Sequence, residues 1–133
     1  GGNPNVSSKL QAAIVMAGPM EMITGSVADR SRNQPKVSNS NKWLGKTIDE
    51  APDLYRLADA HVHIPEGDSP ILFMVGEHDK PERNAPSRKK LKSHGIFSDV
   101  NIYKDGKHGC WNRHPWFKEM AGDMDAFFRE QLR

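Results

Sequence analysis

Residues 70–79 read Pro70-Ile71-Leu72-Phe73-Met74-Val75-Gly76-Glu77-His78-Asp79, and this stretch decides the fold. It opens on a proline, runs through consecutive apolar residues and leaves on a glycine. A proline is tolerated at the first position of a strand, and a glycine releases the chain at the other end. An apolar run without alternation marks a strand buried on both faces, as in a parallel sheet covered by helices. Three titratable residues follow at once. In open α/β sheets functional groups gather at the carboxyl ends of strands, so the loop Glu77-His78-Asp79 is where chemistry is expected.

Upstream, Leu10 to Ala17 is a second apolar run, stopped by Gly18-Pro19, and predicts another buried strand. Residues 20–46 are polar and irregular, and we expect a loop or insertion there that carries little core. Asp49 to Asp53 predicts a helix start, with acidic residues at the positive end of the dipole and Pro52 in the first turn. Leu54, Leu57 and Ala58 would share its apolar face. His61 to Ile64 is either a short extended piece or a loop. Downstream, Asn84-Ala85-Pro86-Ser87 offers a cap and a first-turn proline for a basic helix that ends at His94-Gly95. Ile96 to Tyr103 alternates as a strand, with Val100 and Ile102 on one side and Asn101 and Tyr103 on the other. Phe117, Met120, Ala121, Met124, Phe127, Phe128 and Leu132 are predicted to share one face of a terminal helix begun by Pro115.

The predicted order is strand, loop, helix, strand, helix, strand, helix. That order implies right-handed crossovers and an α/β fold, a parallel sheet with flanking helices. A sheet of three strands has at least one unprotected apolar edge, which calls for a partner: the missing part of the same fold, another chain or a second copy. Gly1-Gly2-Asn3-Pro4-Asn5 reads as a loop and no initiator methionine precedes it, so the chain is expected to be part of a longer protein. Gly1-Gly2 itself reads either as the end of an upstream helix or as a cloning scar.

The 133 residues carry a net charge of only +2, with basic and acidic residues interleaved. That balance reads as a solvated surface and argues against a nucleic-acid partner. No run approaches the ~18 apolar residues of a membrane span. One cysteine, Cys110, excludes an internal disulfide framework. No cofactor signature is present, and neither a cofactor nor a metal is expected.

Two segments carry the chemistry. Asp79 follows the central strand. His108, in Lys107-His108-Gly109-Cys110-Trp111, follows the last one, after an Asp105-Gly106 turn. Neighbouring strands lie about 4.8 Å apart, so short loops can bring carboxylate and imidazole into hydrogen-bond range. Plainer roles stand beside this one. Asp79 could cap a turn, His108 could pair with backbone, and Glu77 is a rival acid nearer the strand's end that ranks below Asp79. Cys110 is better placed as a buried thiol than as a nucleophile. His61 and His63, near His78 and Asp79, are weak candidates for metal ligands. Ser87 belongs to a helix start rather than to catalysis. Trp111 and Trp116, with His114 beside them, could line a substrate subsite or pin the loop to the last helix.

PILFMVGEHD at 70–79, with KDGKHGCWNRHPWF at 104–117 beyond a helix and a strand, resembles the C-terminal half of the α/β-hydrolase fold. The likeness is to its esterase and lipase branch, including the feruloyl- and acetyl-xylan-type carbohydrate esterases. LQAAIVMAGP at 10–19 is similar to the strand after that family's nucleophile helix, and APDLYRLADAHVHI at 51–64 to its connecting helix and loop. The resemblance implies that Asp79 and His108 are the acid and base of a Ser-His-Asp triad, with Trp111 and Trp116 as substrate-binding candidates. It implies a small-molecule or carbohydrate ester as substrate, and a secreted or periplasmic location for a carbohydrate esterase.

The family's G-x-S-x-G nucleophile segment and its HGGG-type oxyanion segment both belong upstream of Leu10, and neither occurs in these residues. A base and an acid without nucleophile or oxyanion donors do not run acyl transfer. Three readings therefore stand: part of a serine esterase or lipase supplying His108 and Asp79, a non-catalytic half that completes its sheet with another chain, and a serine peptidase of the same fold.

Overall fold

The computed structural model describes residues 3–133; Gly1 and Gly2 lie outside the described residues. Three strands form, β1 (Ala13–Met16), β2 (Ile71–Gly76) and β3 (Ser98–Tyr103), with helices α1 (Gly25–Asn33), α2 (Asn39–Leu44), α3 (Pro52–Leu57), α4 (Ala85–Ser93) and α5 (Trp116–Gln131). The strands make one parallel sheet in the order β1-β2-β3, with Ile71 opposite both Ala13 and Ser98. The predicted architecture is thus the observed one. All six residues of β2 are buried, because it alone has a strand on each side.

The pleat sends successive side chains to opposite faces. On one face Ile71 and Phe73 pack with Leu91 of α4, Ile96, Met20 and Ile64. On the other, Leu72 and Met74 pack with Tyr103, Cys110, and Met120 and Phe127 of α5. Burying each such side chain contributes about 1.5–3 kcal/mol. The stripe of α5 that meets the sheet is narrower than its apolar content suggests. Met120 and Phe127 are buried, whereas Phe117, Ala121, Phe128 and Leu132 are exposed. A straight helix presents only one narrow stripe to a sheet of three strands. β1 is likewise less covered than an apolar run predicts: Leu10 and Met16 are exposed at this edge of the sheet.

Residues 20–46, expected as a loop, hold α1 and α2, which is the main correction. With α3 they enclose a separate small core of Met22, Ala28, Ile48 and Tyr55. Ser38 caps α2 by accepting from the Asn41 N–H, and Gly45, at φ 75°, ends it. In α3 the buried residue is Tyr55, while Leu57 points to solvent. The segment His61 to Ile64 is a turn.

Candidate active site

Because the strands are parallel, β1, β2 and β3 all leave the sheet at the same edge. The three non-glycine residues with positive φ among the described residues stand on the three exit loops: Ala17 at 55°, Lys80 at 55° and Asp105 at 56°. An L-residue held in this region costs about 1–2 kcal/mol, and such strain gathers where tertiary contacts over-determine the backbone. Two of the loops press together. A side chain at Gly76 would collide with the Gly106 carbonyl, so glycine is needed there. The His78 N–H donates to that same carbonyl at 2.9 Å, and the Asp105 N–H donates to Glu77 Oε2 at 2.9 Å.

These bonds bring Asp79 and His108 together. His108 Nδ1 lies 2.7 Å from Asp79 Oδ2. Asp79 is 8% exposed, whereas the His108 side chain is 71% exposed. With an ionised carboxylate as acceptor, Nδ1 is the donor, so Nε2 is the basic nitrogen of the neutral ring. Glu77, the rival acid, is turned to the Asp105 N–H instead. Behind His108, Gly109 takes φ 83° and starts a single 3-10 turn, Cys110–Asn112. That turn sets Trp111 edge-on against the imidazole, with ring centroids 5.1 Å apart.

The remaining sequence candidates separate. Trp111 lines an open cleft of about 1020 Å³ together with His108, Lys80, Arg83 and the α1–α2 segment, including Arg30, Asn33 and Trp43. Trp116 does not line it. Its Nε1–H donates to the Lys104 carbonyl at 2.8 Å, and its ring packs, partly buried, against the core cluster between the sheet and α5. Cys110 is buried, and burial pushes its thiol pKa up, the opposite of a reactive thiolate. His61 Nδ1 pairs with the buried Ser87 hydroxyl at 3.0 Å, and His63 Nε2 sits 3.0 Å from the Arg56 carbonyl. Neither ring is aimed at a shared metal position with the other. Among the described residues Glu77, His78 and Asp105 bring one ligand atom each within 4.8 Å of one another, but all three are exposed.

The roles of two residues escaped the sequence reading, which took Asn84 for a cap and assigned nothing to Arg83. Asn84 occupies the N-cap position of α4 without capping it. Its side chain instead accepts from the Met20 N–H at 2.9 Å and donates to the Gly18 carbonyl at 2.7 Å. Arg83 donates to the Ala17 carbonyl and places its other terminal nitrogen 3.6 Å from Asp79 Oδ1. Both partners lie more than sixty positions upstream in the case of the β1 exit. Local sequence holds no signal for such contacts.

Known proteins place this fold. Two crystal structures of EstE5, one soaked with p-nitrophenyl butyrate and one of EstE5-PMSF, superpose with TM-scores of 0.63 and 0.60 at 22% and 21% identity. Each match covers 91% of this chain and 43% of the EstE5 chain, so the chain spans less than half the length of that relative. No curated protein matches it. The BD-FAE family model matches residues 2–92, a segment that contains Asp79 and Arg83 and ends before β3 and His108. On that match, which covers more than half of the 133 residues, the chain belongs to the BD-FAE family of α/β-hydrolase-type esterases.

Proposed function

We propose that the intact protein hydrolyses carboxylic esters by a serine mechanism, with His108 as general base and Asp79 as the acid that orients it. The observation that carries this reading is the 2.7 Å contact between Asp79 Oδ2 and His108 Nδ1, made by a buried carboxylate to an imidazole exposed on a cleft. Asp79 would hold the tautomer in which Nε2 accepts a proton, and its charge would stabilise the imidazolium that forms. Nε2 would take the proton of a serine hydroxyl as it attacks the ester carbonyl, then return it to the leaving alkoxide. The serine and the oxyanion donors would come from residues outside these 133.

The finer reading is that the alcohol is a carbohydrate. It is supported by the resemblance of the strand-end motifs and by the cleft lining, where Trp111 and Trp43 stand among Arg30, Asn33, Gln34 and Asn39. The test is hydrolysis of short-chain aryl esters and of acylated sugars by the full-length protein. His108→Ala is expected to lower kcat by on the order of 10⁴–10⁶ and Asp79→Asn by about 10⁴. Full activity in both variants would overturn the mechanism.

The exposed β1 edge favours a second reading, a half whose sheet is completed by another chain. A well-folded monomer in solution counts against it. A dimer joined along β1 supports it.

A further inference from the structure

We infer that Arg83 is a positioning residue for the Asp79–His108 pair, an assignment that rests on the catalytic reading above. The Asp79 carboxylate is asymmetrically occupied. Oδ2 meets His108 Nδ1 at 2.7 Å, and Oδ1 faces the Arg83 guanidinium at 3.6 Å, within ion-pair range. A carboxylate held at one oxygen only can turn about its Cβ–Cγ bond and carry the imidazole with it. A cation at the second oxygen restrains that rotation and keeps the carboxylate plane aimed at His108.

Arg83 is itself held. Its side chain is 23% exposed, and the same guanidinium donates through its other terminal nitrogen to the carbonyl of Ala17, on the loop leaving β1. That loop is fixed in turn. Ala17 sits at φ 55°, and the neighbouring Asn84 side chain bonds the Gly18 carbonyl and the Met20 N–H. Arg83 therefore ties the exits of β1 and β2 to each other and uses the tie to orient the Asp79 carboxylate. Arginine suits this task because its planar fork reaches two acceptors in different directions, whereas a lysine ammonium supplies one point charge on a flexible stem. Ala17, Lys80, Arg83 and His108 line one cleft, so the tie also sets the wall that a bound ester would face.

The two contacts of Arg83 predict separable effects. Loss of the Asp79 contact misplaces the base and lowers kcat. Loss of the Ala17 contact loosens the cleft wall and raises KM. The experiment is a double-mutant cycle on the full-length protein, with Arg83→Met and Asp79→Asn singly and together, Arg83→Lys as the conservative variant, and a p-nitrophenyl ester as substrate. Arg83→Met removes both contacts and is expected to lower kcat about tenfold and to raise KM as well, with Arg83→Lys recovering about half of the kcat loss on a logarithmic scale. In the Asp79→Asn background Arg83→Met should lower kcat less than about twofold, because the group it orients is gone, while the effect on KM remains.

If Asp79→Asn is impaired while Arg83→Met lowers kcat by the same factor in both backgrounds, or acts on KM alone, Arg83 is only a tie to Ala17 and the assignment falls. If Asp79→Asn is as active as the wild type, the catalytic reading falls and takes this role with it. A readout that needs no turnover is the NMR resonance of the His108 Nδ1 proton. It should persist in the wild type and in Arg83→Lys and broaden or vanish in Arg83→Met. An unchanged resonance in Arg83→Met overturns the role as well.

Discussion

The sheet and the helical lobe of residues 20–58 are neighbours in one chain but are held together by different physics. Around β2 the interior is hydrocarbon: Leu72, Phe73 and Met74 meet Leu91 on one face or Met120 and Phe127 on the other. In the lobe the largest buried side chain is Tyr55, and its hydroxyl sits 2.5 Å from Asn41 Oδ1 and 3.1 Å from Ser31 Oγ. Asn41 Nδ2 donates to the carbonyls of Ser31 and Pro35, and Ser31 Oγ accepts from the Ile48 N–H at 2.9 Å. Asp59, fully buried at the lobe's base, accepts from the N–H groups of Met22, Ile23 and Val62. The sheet is thus stabilised by non-directional burial, and the lobe by a connected polar network that is stable only while every member keeps its partner.

That contrast predicts a graded set of responses. The largest belongs to the sheet. Met74→Ala, at a fully buried position of the central strand, should cost about 2–5 kcal/mol and lower the unfolding temperature of the whole protein. Next comes Tyr55→Phe, which keeps the ring and removes the hydroxyl. It should cost about 1–2 kcal/mol. Amide exchange should accelerate across α1, α2 and α3 and stay slow in β2. Equal acceleration in both regions would show that the lobe is no separate cooperative unit.

A pH dependence of the lobe follows from Asp59. Burial alone would raise its pKa, but the three backbone N–H donors and nearby His61 outweigh burial and hold it below the usual carboxylate range. A folded-state pKa below the unfolded value of about 3.9 gives stability that is complete above the unfolded value and is lost as pH falls through the folded one. Acid titration should therefore loosen the lobe, followed by near-ultraviolet circular dichroism. Asp59→Asn should flatten that dependence. The smallest effect is expected at the Arg32–Asp49 pair, 2.9 Å apart with both side chains well exposed. Arg32→Ala should change stability by at most about 0.5 kcal/mol, a difference readable by urea denaturation.

The same contrast explains which features were legible in the sequence. β2 announced itself because burial on both faces leaves a run of apolar letters, and its Pro70 and Gly76 mark both ends. Asp79 and His108 were legible because they follow strands directly, and a parallel sheet sends all such loops to one edge. α1 and α2 were not legible. Their buried residues are Ala28, Ser31, Ser40 and Asn41, and three of those four letters read as loop residues. Apolar periodicity cannot register a helix whose inner face is polar. Asn84 was misjudged for a related reason: it occupied the expected cap position, but distant backbone groups took its polar atoms.

By itself, then, the sequence determined the alternation of strands and helices, the parallel sheet, and the two strand-end loops that carry an acid and a histidine. Those features follow from local burial and from turn residues that sit next to the strands they end. Only the tertiary structure decided that Glu77 turns away to the Asp105 N–H, that Arg83 reaches across to Ala17, and that residues 20–46 are a helical lobe lining the same cleft as His108. Each of these depends on hydrogen bonds between residues far apart in the chain, whose partners are chosen by the packing of the sheet and not by any neighbour in sequence.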